Sequence, residues 1–397
     1  MTSSATRHEE IASRVTRLFE EQVRARPKAR RAGDVLPSVD AITVEWLNDV
    51  LADVRGPARV AAFRVEDVSA GTHARHRVHL EWEPPGEARA LPATLFTKSL
   101  PDVQTRMIAG ITGHARTEGL FYTQLRPELD LEIPRAYHSS VDRQSFAALH
   151  LLEDVGATRG AAFCNHETRV TRDMAEQMID LLAVVHGHFH GDPRFADAFR
   201  AVVPYDRWFR GGIEKLRIDH YTDLALTQAA DLIPPRLLAR RDEVWPASLA
   251  ALAVHERSTP TFLHSDVHIG NWYRTRDGRM GLCDWQCASR GHFSRDVAYV
   301  LSAALDVEDR RRWERALVER HVERLESEAH ERFDRDDAWK HYRQQMLHAL
   351  LMWTPTLCHS EHLPDMQPEA ASLCMIERMT AAIDDLDSLD ARADAAR

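Results

Sequence analysis

The sequence predicts an α+β protein in which a small antiparallel-sheet unit is followed by a mainly helical one. Three observations predict it. Between residues 60 and 155, "RVAAFRVEDVSAGTHARHRVHLEW", "ATLFTKS" and "SFAALHLLED" read as strands, with one helical stretch over 105–125 among them. From Thr171 onward apolar residues recur at helical spacing. One β-like island interrupts those helices, and its "HSDVHIGNW" (264–272) concentrates more polar chemistry than any other stretch.

Residues 1–34 read as a helix and a flexible basic link. "RVTRLFEEQVRARPKARRAGD" is Arg-rich, but Glu9, Glu10, Glu20 and Glu21 argue against a transit peptide. No run has the apolar length of a signal-peptide core or a membrane span. Residues 35–155 form the first folded unit. It opens on a short helix in "SVDAITVEWLNDVL", where Asp40 is a candidate cap and Val44, Leu47 and Leu51 share a face. Val78, Leu80 and Trp82 then alternate with charged neighbours, "EPPGEARALP" turns the chain, and the next strand ends with Lys98. Residues 156–397 form the helical unit. Its apolar faces are Met174, Met178, Leu181, Val185 and Phe189; then Val297, Val300, Leu301 and Ala304; then Trp313, Leu317, His321 and Leu325.

Composition narrows the function. The 397 residues carry a net charge of −10, with 44% hydrophobic and 28% charged residues. That balance provides no field to gather nucleic acid. Five scattered cysteines (Cys164, Cys283, Cys287, Cys358, Cys374) suit a reducing cytoplasm rather than a disulfide framework. Cys283 and Cys287 lack the second ligand pair of a structural zinc site.

In "NWYRTRDGRMGLCDW", Asp277-Gly278 marks a two-residue turn, because a type I′ hairpin needs positive φ at both central positions. A turn centred there pairs Asn271 with Asp284 on one face, with Cβ atoms about 4.5–5.5 Å apart. A carboxamide and a carboxylate so placed are hard oxygen donors suited to Mg2+. Asp266, on the loop entering the first strand, is placed to take a proton from an incoming hydroxyl. Phosphoryl transfer needs this set: an oriented nucleophile, clamped phosphates and neutralised charge.

"HSDVHIGNW" followed by "GLCDWQ" resembles the catalytic signature of the aminoglycoside phosphotransferase and choline kinase-like superfamily, small-molecule relatives of the protein kinases. With "HSD", "CDWQ" and "FSRDVAYVL", the nearest branch is the ecdysteroid-kinase-like one. The resemblance implies a protein kinase-like bilobal fold, with catalytic loop 264–271 and metal hairpin 271–285 in the helical C-lobe. It implies that Asp266 is the base, that Asn271 and Asp284 hold Mg2+, that His264 braces the loop and that Asp296 anchors it. His268 is a frequent companion in such loops. In the N-lobe, Lys98 is the expected cation on the nucleotide phosphates and Glu118 its partner. Ser69, Gly71 and Thr72 form the candidate phosphate loop, with backbone N–H groups and hydroxyls in place of repeated glycines. Leu152 and Asp154 lie on the expected lobe-connecting hinge, where backbone groups hold the base. Trp285-Gln286 stand where protein kinases have Phe-Gly, and no "APE"-like segment follows. Control by activation-segment phosphorylation is therefore disfavoured.

The expected activity is Mg2+-dependent O-phosphorylation of a small-molecule hydroxyl by ATP or GTP. Candidate acceptor contacts are His268, Trp285, Trp353, His359 and Glu361. The acidic C-terminal stretch reads as a solvated helix face rather than a cage for ammonium groups, which favours a neutral or amphipathic acceptor. An aminoglycoside or other antibiotic is the alternative; a protein kinase or a catalytically inactive nucleotide-binding module are alternatives of another class. The expected partner is a small alcohol, with neither nucleic acid nor membrane.

Overall fold

The computed structural model describes residues 4–69, 73–84, 91–358 and 366–391. The chain divides into two compact units, Met1–Ala161 and Ala162–Arg397. Among the described residues no helix is long and apolar enough to cross a membrane.

In the first unit, helices α1 (Ser4–Ala25) and α2 (Val44–Val50) precede a five-stranded antiparallel sheet. Its strands are β1 (Arg59–Ser69), β2 (Ala74–Glu83), β3 (Thr94–Ser99), β4 (Ala136–Val141) and β5 (Ala148–Glu153), in the order β1-β2-β3-β5-β4. The alternation expected in β2 is present: Val78 and Leu80 are buried and Glu81 is exposed. These two join Trp46 and Leu47 of α2, Leu95, Leu149 and Leu151 in one core. Asn48 pins α2 to β1, its carboxamide bonding both the C=O and the N–H of Val60 (2.9 and 3.0 Å). Thr43, not Asp40, caps α2 by accepting from Trp46 N–H at 3.1 Å. Asp40 is displaced from that role because it lies in a separate one-turn helix, Val39–Ala41. The 26–34 link runs against this turn, with Ala29 N–H donating to Ala41 O at 2.8 Å.

Helices α3 (Val103–Thr112) and α4 (His114–Leu120) occupy most of the helical stretch expected over 105–125. Gly113, with φ +82, separates them. Strand β4 escaped the sequence reading because its "AYHSSV" is half-buried throughout and shows no alternation to detect.

The second unit is mainly helical. In α5 (Arg172–His188), capped by Thr171, the predicted face of Met174, Met178, Leu181 and Val185 is buried. Helix α6 (Ser294–Ala304) is buried on all sides, where the sequence suggested one apolar face. The reason is its position: it packs against α5 and against α7 (Val307–Ala329), α8 (Arg335–Leu357) and α9 (Glu369–Asp385). Its polar residues Arg295, Asp296 and Tyr299 therefore face the interior. The single β island resolves into two small sheets. Strands β6 (Ala162–Phe163), β8 (Trp272–Arg274) and β9 (Met280–Leu282) form one, and β7 (Thr261–Leu263) pairs with β10 (Ser289–Gly291) in the other. The 264–271 loop joins them.

Candidate active site

The 271–285 hairpin is real, but its register differs by one residue from the predicted one. Trp272 pairs with Leu282, Tyr273 with Gly281 and Arg274 with Met280. The loop is longer than Asp277-Gly278: Gly278 N–H bonds Thr275 O at 3.0 Å, and Thr275 N–H bonds Arg279 O at 2.9 Å. Thr275 drives this, since its hydroxyl accepts from Arg279 N–H at 2.9 Å and bonds Asp277. Gly278, at φ +91, takes the left-handed position that closes a three-residue hairpin. A one-residue slip changes faces, so Asn271 faces Cys283, whose N–H bonds Asn271 O at 2.9 Å. Asp284 is not the cross-strand partner of Asn271. It leaves the ladder with φ +65, a left-handed conformation that redirects the chain.

His264 ties this turn to the loop. Its ring accepts from Asp266 N–H at Nδ1 (3.2 Å), so Nε2 carries the proton and donates to Cys283 O (2.9 Å). Burial pushes the imidazole below its ordinary range, against the opposing pull of Asp296, the Cys283 carbonyl, Asp266 and Asp284. Ser265 has φ +66, which costs a residue bearing a Cβ about 1–3 kcal/mol. Asp296 offsets that strain: its two oxygens accept the N–H groups of His264 (2.7 Å) and Ser265 (2.9 Å). His186 of α5 reaches the same carboxylate through Nε2 at 3.3 Å, and its Nδ1 lies 2.9 Å from His321 Nε2 of α7. Burial raises the Asp296 carboxyl, but the His186 hydrogen bond and the nearby Arg295 charge outweigh it, leaving Asp296 below the usual carboxylate range.

The loop brings Asp266 and Asn271 together. Asn271 Nδ2 donates to Asp266 O at 2.7 Å and approaches Oδ2 at 3.4 Å. That fixes the carboxamide so that Oδ1 points away from Asp266; among the described residues no donor reaches it. Tyr299 O–H donates to Asp266 Oδ1 at 3.1 Å. His268 Nδ1 accepts from Gly270 N–H (3.1 Å), leaving Nε2 to carry the proton, 3.8 Å from Asp266 Oδ2. The Trp353 ring meets His268 edge-on, with centroids 5.2 Å apart. Trp285, expected as an acceptor contact, is instead core: it is fully buried, stacked on Phe262 at 6.0 Å and edge-on to His264 at 4.6 Å. The left-handed turn at Asp284 sends the next side chain inward.

In the first unit, Lys98 of β3 lies within 2.9 and 3.0 Å of both Glu118 oxygens, and both residues are buried. The sequence reading missed a third member. His150, directly across the ladder from Lys98, lies 3.6 Å from Glu118 and 2.8 Å from Ser139 Oγ. Its position opposite Lys98 becomes legible only once the strand register is known. Leu152 is buried in β5, and the Asp154 carboxylate is engaged by Arg77 (2.6 Å) and Thr94 (2.9 Å). Any nucleotide contact at these two positions therefore falls to the backbone. Ser69 ends β1; Gly71, Thr72, His359 and Glu361 lie outside the described residues.

Among the described residues no three His, Cys, Asp and Glu side chains converge to cage a metal. The donor chemistry of Asn271 Oδ1 and Asp284 still fits Mg2+, which commonly takes one or two protein oxygens and completes its shell with water and phosphate.

A sheet unit holding a buried Lys–Glu pair and a helical unit holding an Asp–Asn loop are the two parts of a protein kinase-like fold. The chain belongs to the phosphotransferase enzyme family, whose model matches residues 112–332. It is a small-molecule kinase, a phosphotransferase with an alcohol group as acceptor. Solved structures resemble it distantly. One is an aminoglycoside phosphotransferase of Streptomyces rimosus (17% identity over 77% of this chain and 96% of that one, TM-score 0.41). Another is a macrolide 2′-phosphotransferase of Brachybacterium faecium (13%, 78% and 90%, TM-score 0.43). A third is an aminoglycoside 2′-phosphotransferase in complex with GDP (14%, 78% and 88%, TM-score 0.47). No curated protein matches the chain. These likenesses do not single out the ecdysteroid-kinase-like branch.

Proposed function

We propose that the protein transfers the γ-phosphoryl group of ATP or GTP, with Mg2+, to a hydroxyl of a neutral or amphipathic small molecule in the cytoplasm. The observation that carries this reading is the Asp266–Asn271 clamp, set inside the matched family segment. Asp266 takes the acceptor proton as the acceptor oxygen bonds to the γ-phosphorus. The bond from that phosphorus to its bridging oxygen breaks, and the electron pair leaves on the nucleoside diphosphate. Asn271 and Asp284 hold Mg2+, which neutralises phosphate charge when bound. Lys98, steadied by Glu118, is the cation assigned to the nucleotide phosphates. Five free thiols support a reducing compartment.

The neutral acceptor is supported by how the C-terminal acids are used. Asp384 and Asp387 pair with Arg236, Asp385 with Arg310 and Arg311, and Asp390 with Arg240. Carboxylates already paired with arginine are poor hosts for a polyamine. The rings of His268 and Tyr299 flank Asp266 beside the Asn271 carboxamide, and Trp353 meets His268 edge-on. A panel of sterols, macrolides, aminoalcohols and aminoglycosides, assayed for acceptor-dependent ADP or GDP release, tests the reading. Release with uncharged alcohols is expected. Release only with aminoglycosides overturns the acceptor class, and phosphate transfer only to casein or histone overturns small-molecule specificity.

Gly270 supplies a second check. A Cβ there would stand 2.9 Å from His268 Cε1 and 3.0 Å from Nδ1, so Gly270→Ala must displace the imidazole from its place beside Asp266. A displacement of this kind near a reacting centre is expected to lower kcat by about 10- to 100-fold. Losing one hydrogen bond should cost only about 1 kcal/mol of stability. Initial rates and a urea melt on the same preparation separate the two.

A further inference from the structure

We propose that Tyr299 is a positioning residue for phosphoryl transfer, holding Asp266 so that Oδ2, rather than Oδ1, receives the acceptor's proton; this rests on the reading of Asp266 as the base. One turn of α6 grips three consecutive loop residues. Asp296 takes the N–H groups of His264 and Ser265, Arg295 donates to Ser265 O at 3.3 Å, and Tyr299 donates to the Asp266 side chain. Asp296 and Tyr299 stand three residues apart, on one face of the helix. The first sets the backbone of the loop and the second sets the carboxylate it carries.

The phenol has one proton to give, and among the described residues it is the only donor to Asp266 Oδ1. Burial, reinforced by the Asp266 charge, pushes Tyr299 well above its ordinary range, so it remains a donor at every working pH. The ring is itself fixed, with the Arg295 guanidinium 4.7 Å from its centroid. With Oδ1 committed, Oδ2 is left beside Asn271 Nδ2 at 3.4 Å and His268 Nε2 at 3.8 Å. The Asp266 side chain is 19% exposed, so an alcohol can reach it. The base thus offers one oxygen in one direction, the restriction in-line transfer requires.

Tyr299→Phe removes the donor and keeps the ring. The variant should lose about tenfold in kcat, the scale of one hydrogen bond to a charged group, while KM for nucleotide and acceptor changes less than about twofold. Replacing Tyr299 with 3,5-difluorotyrosine, a stronger donor, should restore kcat. A packing role alone would lower the melting temperature and leave kcat unchanged. Unchanged kcat in Tyr299→Phe, alongside an inactive Asp266→Asn, overturns the positioning role alone. An active Asp266→Asn overturns the base assignment, and the role of Tyr299 with it.

Discussion

Asp266→Asn should lower kcat by about 10²–10⁴-fold, the contribution of a well-placed general base, and leave nucleotide affinity within about twofold. The substitution is close to isosteric. Tyr299 O–H can still donate to the remaining oxygen, and Asn271 Nδ2 can still reach the main-chain carbonyl at position 266. His264 still accepts the N–H of residue 266. The loop should therefore keep its shape while losing the one group able to accept a proton from the alcohol. Equilibrium titration with nucleotide and Mg2+, set against steady-state rates with the best acceptor, separates the two quantities. Turnover within about threefold of the parent would refute the base assignment. Loss of nucleotide binding would show instead that the carboxylate serves the metal.

How much of this site could be read in advance depended on the distance over which each contact acts. The closeness of Asp266 and Asn271 was legible because their spacing in "HSDVHIGNW" is local. The Lys98–Glu118 pair was legible from element order, since a strand followed by a helix places one side chain over the other. The register of the metal hairpin was not. Asp277-Gly278 is a strong turn signal, but the Thr275 side chain bonds across the loop and lengthens it by one residue. A signal confined to two residues could not report that third participant. Trp285 misled for a related reason: it adjoins Asp284 in sequence, yet the left-handed backbone at Asp284 turns it into the core.

His150, His186 and Tyr299 carried no local signature at all. Each acts through a partner far along the chain: Glu118 for His150, Asp296 for His186, and Asp266 for Tyr299. A buried polar residue in an apolar helix or strand, such as Tyr299 in "FSRDVAYVL" or His150 in "ALHLLE", is the only hint the sequence offers. It shows that a partner must exist without showing which. The lobe architecture was legible because period-2 and period-3.6 patterns fall in different halves of the chain. Strand β4 was missed because half-burial erases that period.

Lys98→Met is expected to destabilise the Met1–Ala161 unit by about 3–5 kcal/mol, because it leaves the Glu118 carboxylate buried without its lysine. Lys98 and Glu118 are 3% and 0% exposed, so water cannot replace the missing charge. The pair itself contributes far less than its rupture costs, since desolvating two ions nearly cancels their attraction. Lys98→Met combined with Glu118→Leu should therefore recover most of the lost stability, apart from what His150 loses when Glu118 is gone. Urea denaturation of the full chain gives the stabilities, and amide exchange in β3 and α4 localises them to this unit. Activity should follow a different rule. If Lys98 serves the nucleotide phosphates, the stable double variant remains as impaired as the single one, with a higher KM for nucleotide. If the lysine only completes the packing of the sheet, activity returns with stability. The two variants thus separate a structural ion pair from a phosphate-binding one.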